Sequence, residues 1–192
     1  VARQCQFDHH QVLEQAMQLF WKQGYEATSV ADLVTQLQIN RFSLYNSFGD
    51  KQQLYHLSLQ HYLDQHSLPR LKPLFQPNAD LSTLTDFINQ MAADPDNACL
   101  GCYIQAALLE RRHLDPHVKE LADQLFAAVR EGFEHCLLQA QQQGQIAAGR
   151  HIAELSAWLL LQIQGIRVLL RAGQHDTLAS AVKQIVTFLT RP

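Results

Sequence analysis

Proline is absent from the first 68 residues of this chain and then falls three times within nine, at Pro69, Pro73 and Pro77. Proline has no backbone N–H and pushes its predecessor out of the α region, so it punctuates helices. The segments it leaves uninterrupted are rich in helix formers. The 192 residues include 30 Leu and 25 Gln, which with Ala lose little on entering a helix. Val, Ile and Thr never alternate over a strand-length run. The expectation is an all-α chain, with a small unit over residues 1–66 and a larger one over 67–192. An apolar fraction of 47% excludes a disordered chain, and a charged fraction of only 17% fits an oligomer that buries part of its surface. No signal-peptide pattern and no run of about 18 uninterrupted apolar residues is present, which leads to the expectation of a cytoplasmic protein with no membrane partner. The four cysteines are then expected to stay reduced. Because the sequence begins at Val1, a few residues are expected to precede it.

Helical spacing and capping residues predict the elements. In the first unit, Val12, Ala16 and Phe20 share a face and Gly24 stops the helix. Ser29 with Asp32 is a capping box opening a helix to Leu37. Asn40 caps a third helix to about Phe48, and Asp50 with Gln53 caps a fourth to about His66. Five helices are predicted beyond the prolines: from Asp80 to about Ala93, Leu100 to His113, Asp115-Pro116 to near Gly144, Arg150 to Ala172, and Asp176 to Thr190.

The informative stretch is Thr28 to Lys51, TSVADLVTQLQINRFSLYNSFGDK. Two short helices joined by three or four residues, the second with its own cap, have helix-turn-helix spacing. A helix of about two turns fits the DNA major groove and offers its first turn to base edges. Val30, Leu33, Val34 and Leu37 would hold it at an angle through Ile39, Leu44 and Phe48.

Phe7-Asp8, Leu19-Phe20, Gly24-Tyr25, Thr28-Ser29-Val30 with Asp32-Leu33, Ile39-Asn40-Arg41, Leu44-Tyr45, Phe48 and Asp50-Lys51 together resemble the DNA-binding domain of TetR-family transcriptional regulators. The resemblance covers roughly residues 7 to 63. Two positions depart from it: Gln38 stands in the turn where the family often has glycine, and Phe42 where the recognition helix often has a small residue. The resemblance implies that Thr28 and Ser29 touch a phosphate at a helix N-terminus. It implies that Asn40, Arg41, Phe42 and Ser43 face bases, that Tyr45 and Asn46 meet backbone or a base edge, and that Lys51 grips a phosphate. It further implies a double-stranded DNA operator, a twin subunit and an unidentified small-molecule effector bound in the second unit, with repression as the outcome. No cofactor is expected.

Charge qualifies that reading. Residues 1 to 66 carry Arg3, Lys22, Arg41 and Lys51 against six carboxylates, a poor balance for non-specific DNA affinity. Neutral donors and helix N-termini must then do much of the phosphate binding. For the twin subunit, Leu155, Leu159, Ile163 and Ile166 (with Ile152) form a stripe on the penultimate helix while other faces are also apolar. Val182, Ile185 and Leu189 continue on the last helix, and together these are the expected dimer interface. Phe87, Met91, Tyr103, Phe126, Phe133 and Trp158 are the candidate pocket lining.

Cys99-Leu-Gly-Cys102 at a helix start is a candidate thiol switch, which leaves a redox-responsive regulator of the same fold as an alternative. Cys5 and Cys136 are isolated, so no zinc site is expected from the cysteines. The ten histidines are scattered and read as surface positions, and no metal is expected. A helical-bundle enzyme is the remote alternative, with no G-x-S-x-G, G-x-G-x-x-G, H-E-x-x-H or paired Glu-x-x-His motif to support it.

Overall fold

The capping residues build the elements that their spacing predicts. Asp8 accepts from the His10 N–H at 2.9 Å and opens the first helix. Both halves of the Ser29–Asp32 box form: the Asp32 N–H donates to Ser29 Oγ at 3.1 Å and the Ser29 N–H to Asp32 Oδ2 at 2.8 Å. Asn40 and Asp50 accept from the N–H groups of Ser43 and Gln53, each at 2.8 Å. The computed structural model describes residues 7–93 and 100–190. Among them the helices are α1 (His9–Gln23), α2 (Val30–Leu37), α3 (Arg41–Phe48), α4 (Lys51–Tyr62), α5 (Leu68–Leu71), α6 (Leu81–Ala93), α7 (Tyr103–Arg111), α8 (Pro116–Gln142), α9 (Ile152–Arg171) and α10 (His175–Thr190). No strand occurs among the described residues. The chain is all-α as expected.

The proline cluster does not break the helical path where it begins. A π-turn over Leu63–Ser67 continues α4, α5 follows, and a 3₁₀ turn covers Lys72–Phe75. Pro69 sits in the opening turn of α5, where its missing N–H costs little. Chain contacts divide the molecule into two compact units: Val1–Ser67 with Tyr103–Asp123, and Leu68–Cys102 with Gln124–Pro192. The first junction falls beside the expected 66/67. By chain contacts residues 103–123, inside the larger unit expected over 67–192, group with the first unit.

Aromatic packing explains that recruitment. Within the first unit α1 packs on α4, α2 and α7. Tyr103, on α7, is fully buried, with ring centroids 5.9 Å from Trp21, 6.0 Å from Tyr55 and 5.7 Å from Tyr62. Its hydroxyl meets Ser58 Oγ at 2.9 Å, so the polar tip is satisfied inside the core. Rings of this size dominate core energetics, and α7 carries one into this cluster.

The second unit is built on α9 against α6 and α10. Leu159 and Ile163 of α9, Leu84 and Ile88 of α6, and Leu189 of α10 are fully buried. From residue 124 onward α8 adds Leu125, Val129, Phe133 and Leu137. At Gly132 a β-carbon would lie 3.0 Å from Leu74 Cδ1, so the absence of a side chain lets the 3₁₀ turn seat against α8. By length and composition α9 is apolar enough to cross a membrane, and its inner face is spent on this core.

Candidate nucleic-acid interface

The α2–turn–α3 segment divides its residues cleanly between inside and outside. Leu33, Leu37, Ile39, Leu44 and Phe48 are buried. The turn is made by Gln38, in the left-handed region at φ 54°, ψ 31°. On α3 the residues Arg41, Phe42, Tyr45 and Asn46 point outward, with Phe42 79% and Tyr45 46% exposed. Their spacing of one, three and one places them on a single face of a helix of 3.6 residues per turn. Ser43 is half-buried and its N–H is held by the Asn40 cap. Asn40 itself is exposed. A large apolar ring with most of its surface in water, beside a free guanidinium, is an arrangement suited to a ligand surface.

The flanking phosphate candidates separate. Ser29 is exposed at the start of α2. Its hydroxyl donates to Asp32 Oδ2 at 2.6 Å, and that bond with the Ser29 N–H holds the Asp32 carboxyl below the usual range. Lys51, at the start of α4, lies 4.2 Å above the Tyr25 ring. Thr28 does not fit the expected phosphate contact. It is fully buried, and its hydroxyl donates to the Gly24 carbonyl at 2.6 Å, so its side chain closes the α1–α2 loop instead of facing solvent.

That loop is also clasped by α7, a contact that the sequence reading missed. The N–H groups of Tyr25 and Glu26 donate to the two carboxylate oxygens of Glu110 at 3.0 and 2.9 Å. A β-carbon at Gly24 would stand 3.1 Å from both oxygens, and φ 85° there also favours glycine. Arg111, buried at the end of α7, stacks 3.9 Å over Tyr25 and pairs with Glu26. Asp115 is buried too and meets His56 Nε2 of α4 at 2.6 Å. Burial pushes its carboxyl up, but the His56 hydrogen bond and charge outweigh it and hold it below the ordinary value. Asp115 also accepts from the His117 N–H at 3.2 Å, the N-cap role its Asp-Pro spacing predicts. The Asp-Pro signal was readable, but nothing in local spacing points from Glu110 to a loop 85 residues earlier.

The second-unit candidates need revision. Leu155, Leu159, Ile163, Ile166, Val182, Ile185 and Leu189, the expected dimer face, are all buried within the chain itself. The best-spaced stripe on an all-round apolar helix is the one its own core uses. On α9 and α10 the large apolar residues left outside are Leu161 (67% exposed), Val168 and Phe188. Trp158 joins them, its ring 4.7 Å from Phe188, and so leaves the expected pocket. Tyr103 leaves it too, as part of the first unit's core. Phe87 and the buried Phe133 do meet, edge to face at 5.9 Å. Met91 and Phe126 are half-buried. A groove of about 530 Å³ runs along α6 and α10, lined by Thr85, Asn89, His175, Leu178, Val182 and Lys183 among others, and includes none of the six expected residues.

Of the thiols, Cys5 and Cys99 lie outside the described residues. Cys102 is buried, which fits a packing role better than a reactive one. Cys136 is buried as well, and burial pushes its thiol up to about 12.

Residues 12–57 match the family described as bacterial regulatory proteins, tetR family. The chain is 30% identical over 149 residues to the uncharacterized HTH-type transcriptional regulator YezE of Bacillus subtilis (strain 168), covering 76% of each. It is 30% identical over 173 residues to the HTH-type transcriptional repressor ComR of Escherichia coli (strain K12), covering 87% of this chain and 81% of ComR. Among solved structures it resembles a cysteine-substituted TetR family transcriptional regulator CifR complexed with 26 bp double-strand operator DNA. The TM-score is 0.79 and the identity 26%, over 96% of this chain and 98% of that one. With its helix-turn-helix assembled as above and these relatives matched along most of its length, the chain belongs to the TetR family of transcriptional regulators.

Proposed function

We propose that the protein is a cytoplasmic, homodimeric, ligand-responsive repressor that reads a (pseudo)palindromic operator with α3. One observation carries this reading: Arg41, Phe42, Tyr45 and Asn46 share an exposed face while Leu44 and Phe48 anchor the opposite one. Arg41 has the geometry to contact a guanine edge, and Phe42 to meet a thymine methyl. Asn40 and Ser43 flank them, and Tyr45 and Asn46 reach backbone or a base edge. Ser29 and Lys51 bind phosphates beside the N-termini of α2 and α4. The twin subunit packs on the outward face formed by Trp158, Leu161, Val168 and Phe188, where apolar area is still exposed.

The effector binds in the second unit, beside the Phe87–Phe133 pair, the part of the expected lining that comes together. The chain crosses between the two units at 67/68, 102/103 and, within α8, at 123/124, and these connections carry the signal. Effector and operator must then weaken each other's binding reciprocally.

Selection of bound sequences from a random DNA pool tests the proposal. Two inverted half-sites are expected. With about 4 to 6 phosphates neutralised per dimer, the log–log salt slope should be roughly −4 to −5. A pool without inverted repeats, or a slope steeper than about −8, refutes this mode of reading.

A further inference from the structure

Two of the histidines expected at the surface instead converge on one carboxylate. Glu14 of α1 has its Oε2 3.0 Å from His61 Nε2 and 2.9 Å from His66 Nε2. The three candidate ligand atoms all lie within 4.8 Å of one another. His10, one turn before Glu14 on α1, sets its ring edge-on against His61 with centroids 4.6 Å apart. His61 is buried, while Glu14 and His66 are half-buried, so the cluster is held but open on one side.

The backbone makes this convergence possible. In an α-helix, residues five apart are turned by about 140° and cannot share a face. The π-turn over Leu63–Ser67, which follows directly on α4, has a wider winding and brings His66 into line with His61. Single π-turns inside helices give up regular hydrogen bonding and occur frequently at functional sites.

We propose that Glu14, His61 and His66 bind a late first-row divalent metal ion such as Zn²⁺, with water completing the shell. Two imidazole nitrogens and one carboxylate oxygen are a donor set that such ions take, with bonds of about 2.0 to 2.2 Å. Tetrahedral ligands at those lengths stand roughly 3.3 Å apart; the two Glu14–histidine spacings need open by only a few tenths of an ångström, and the third pair, within 4.8 Å, settles to the same separation. Gln18 Nε2 reaches Glu14 Oε1 at 3.4 Å, an outer contact that helps orient the ligating group. An ion here replaces the imidazole protons that now bridge to Glu14, and it clamps α1 to the end of α4.

Titration of Zn²⁺ into chelator-stripped full-length protein by calorimetry tests the site, with Mg²⁺ as the hard-ion control. One Zn²⁺ per chain is expected, with little Mg²⁺ binding. Glu14→Gln and His66→Gln should each weaken Zn²⁺ at least about tenfold, whereas His113→Gln should not. Both site variants retain hydrogen-bonding capacity, and circular dichroism checks that they fold. X-ray absorption of the zinc-loaded protein should show imidazole ligands. No saturable Zn²⁺ binding, or binding that survives both substitutions, overturns the proposal.

Discussion

α3 and α9 pose the same problem, namely which side of a helix faces in, and they answer it differently. α3 has eight residues, and its two buried positions, Leu44 and Phe48, stand against an outward set that is mostly polar. The one outward apolar residue, Phe42, is conspicuous there because nothing on that side shares a core with it. α9 has twenty residues and is apolar nearly all round. Its most regular stripe, Leu155, Leu159, Ile163 and Ile166, is buried by its own chain, and the outward Leu161 and Val168 fall off that stripe. Helical periodicity identifies the core face. It identifies a partner face only where the remaining surface is polar enough for an apolar residue to stand out.

The largest effect should come from the inner side of α9. Leu159→Ala removes a fully buried side chain and should cost about 2 to 5 kcal/mol in denaturant unfolding. Leu161→Ala, two residues away on the same helix, should change the stability of the separated protomer by only about 0.5 kcal/mol. Its effect should appear instead as weaker self-association in concentration-dependent sedimentation. If the two substitutions cost the protomer equal stability, the assignment of inner and outer faces fails.

A second pair of substitutions sharpens the contrast around α3. Arg41→Ala should lower operator affinity by about 1 to 3 kcal/mol, roughly 5- to 150-fold, with unchanged thermal stability. Thr28→Val should do the reverse. It removes the hydroxyl that closes the α1–α2 loop and should cost about 0.5 to 1.5 kcal/mol of stability. Its operator affinity, measured by fluorescence anisotropy well below the melting temperature, should change little. A large affinity loss in Thr28→Val with full stability would restore the phosphate role that its burial argues against.

Much of the helix-turn-helix was readable because its signals are local. Ser29 with Asp32, Asn40 with Ser43 and Asp50 with Gln53 lie three residues apart, and each forms the cap its spacing predicts. The recruitment of α7 was not readable, because it depends on Tyr103 fitting among Trp21, Tyr55 and Tyr62, and on Glu110 meeting N–H groups 85 and 84 residues earlier. The histidine convergence was hidden for a third reason. It needs a π-turn, and spacing read on the α-helical period puts His61 and His66 on different faces. Two of the pocket candidates, Tyr103 and Trp158, lie elsewhere for the reason the α9 stripe did: large size marked them, but size does not say which core or face a ring joins.

The smallest predicted effect lies in the turn that separates α2 from α3, and it compares the two ends of the reading helix. Gln38 is the one non-glycine residue with positive φ among the described residues. A side chain costs about 1 to 2 kcal/mol in that left-handed conformation, which glycine adopts freely. Glycine loses more backbone entropy on folding, so Gln38→Gly should gain only about 0.5 to 1 kcal/mol. In a chain of this length that gain corresponds to a melting temperature higher by roughly 1 to 4 °C. Gly49, after α3, has φ 76° and ψ −117°, and a β-carbon there would overlap the Gln53 side chain, so Gly49→Ala should destabilise. Because Gln38 lies in the turn and not on α3 itself, Gln38→Gly should leave operator affinity within about twofold. A loss of stability in Gln38→Gly would mean that the glutamine side chain holds the turn, and that its departure from the family's glycine is a contact and not a strain.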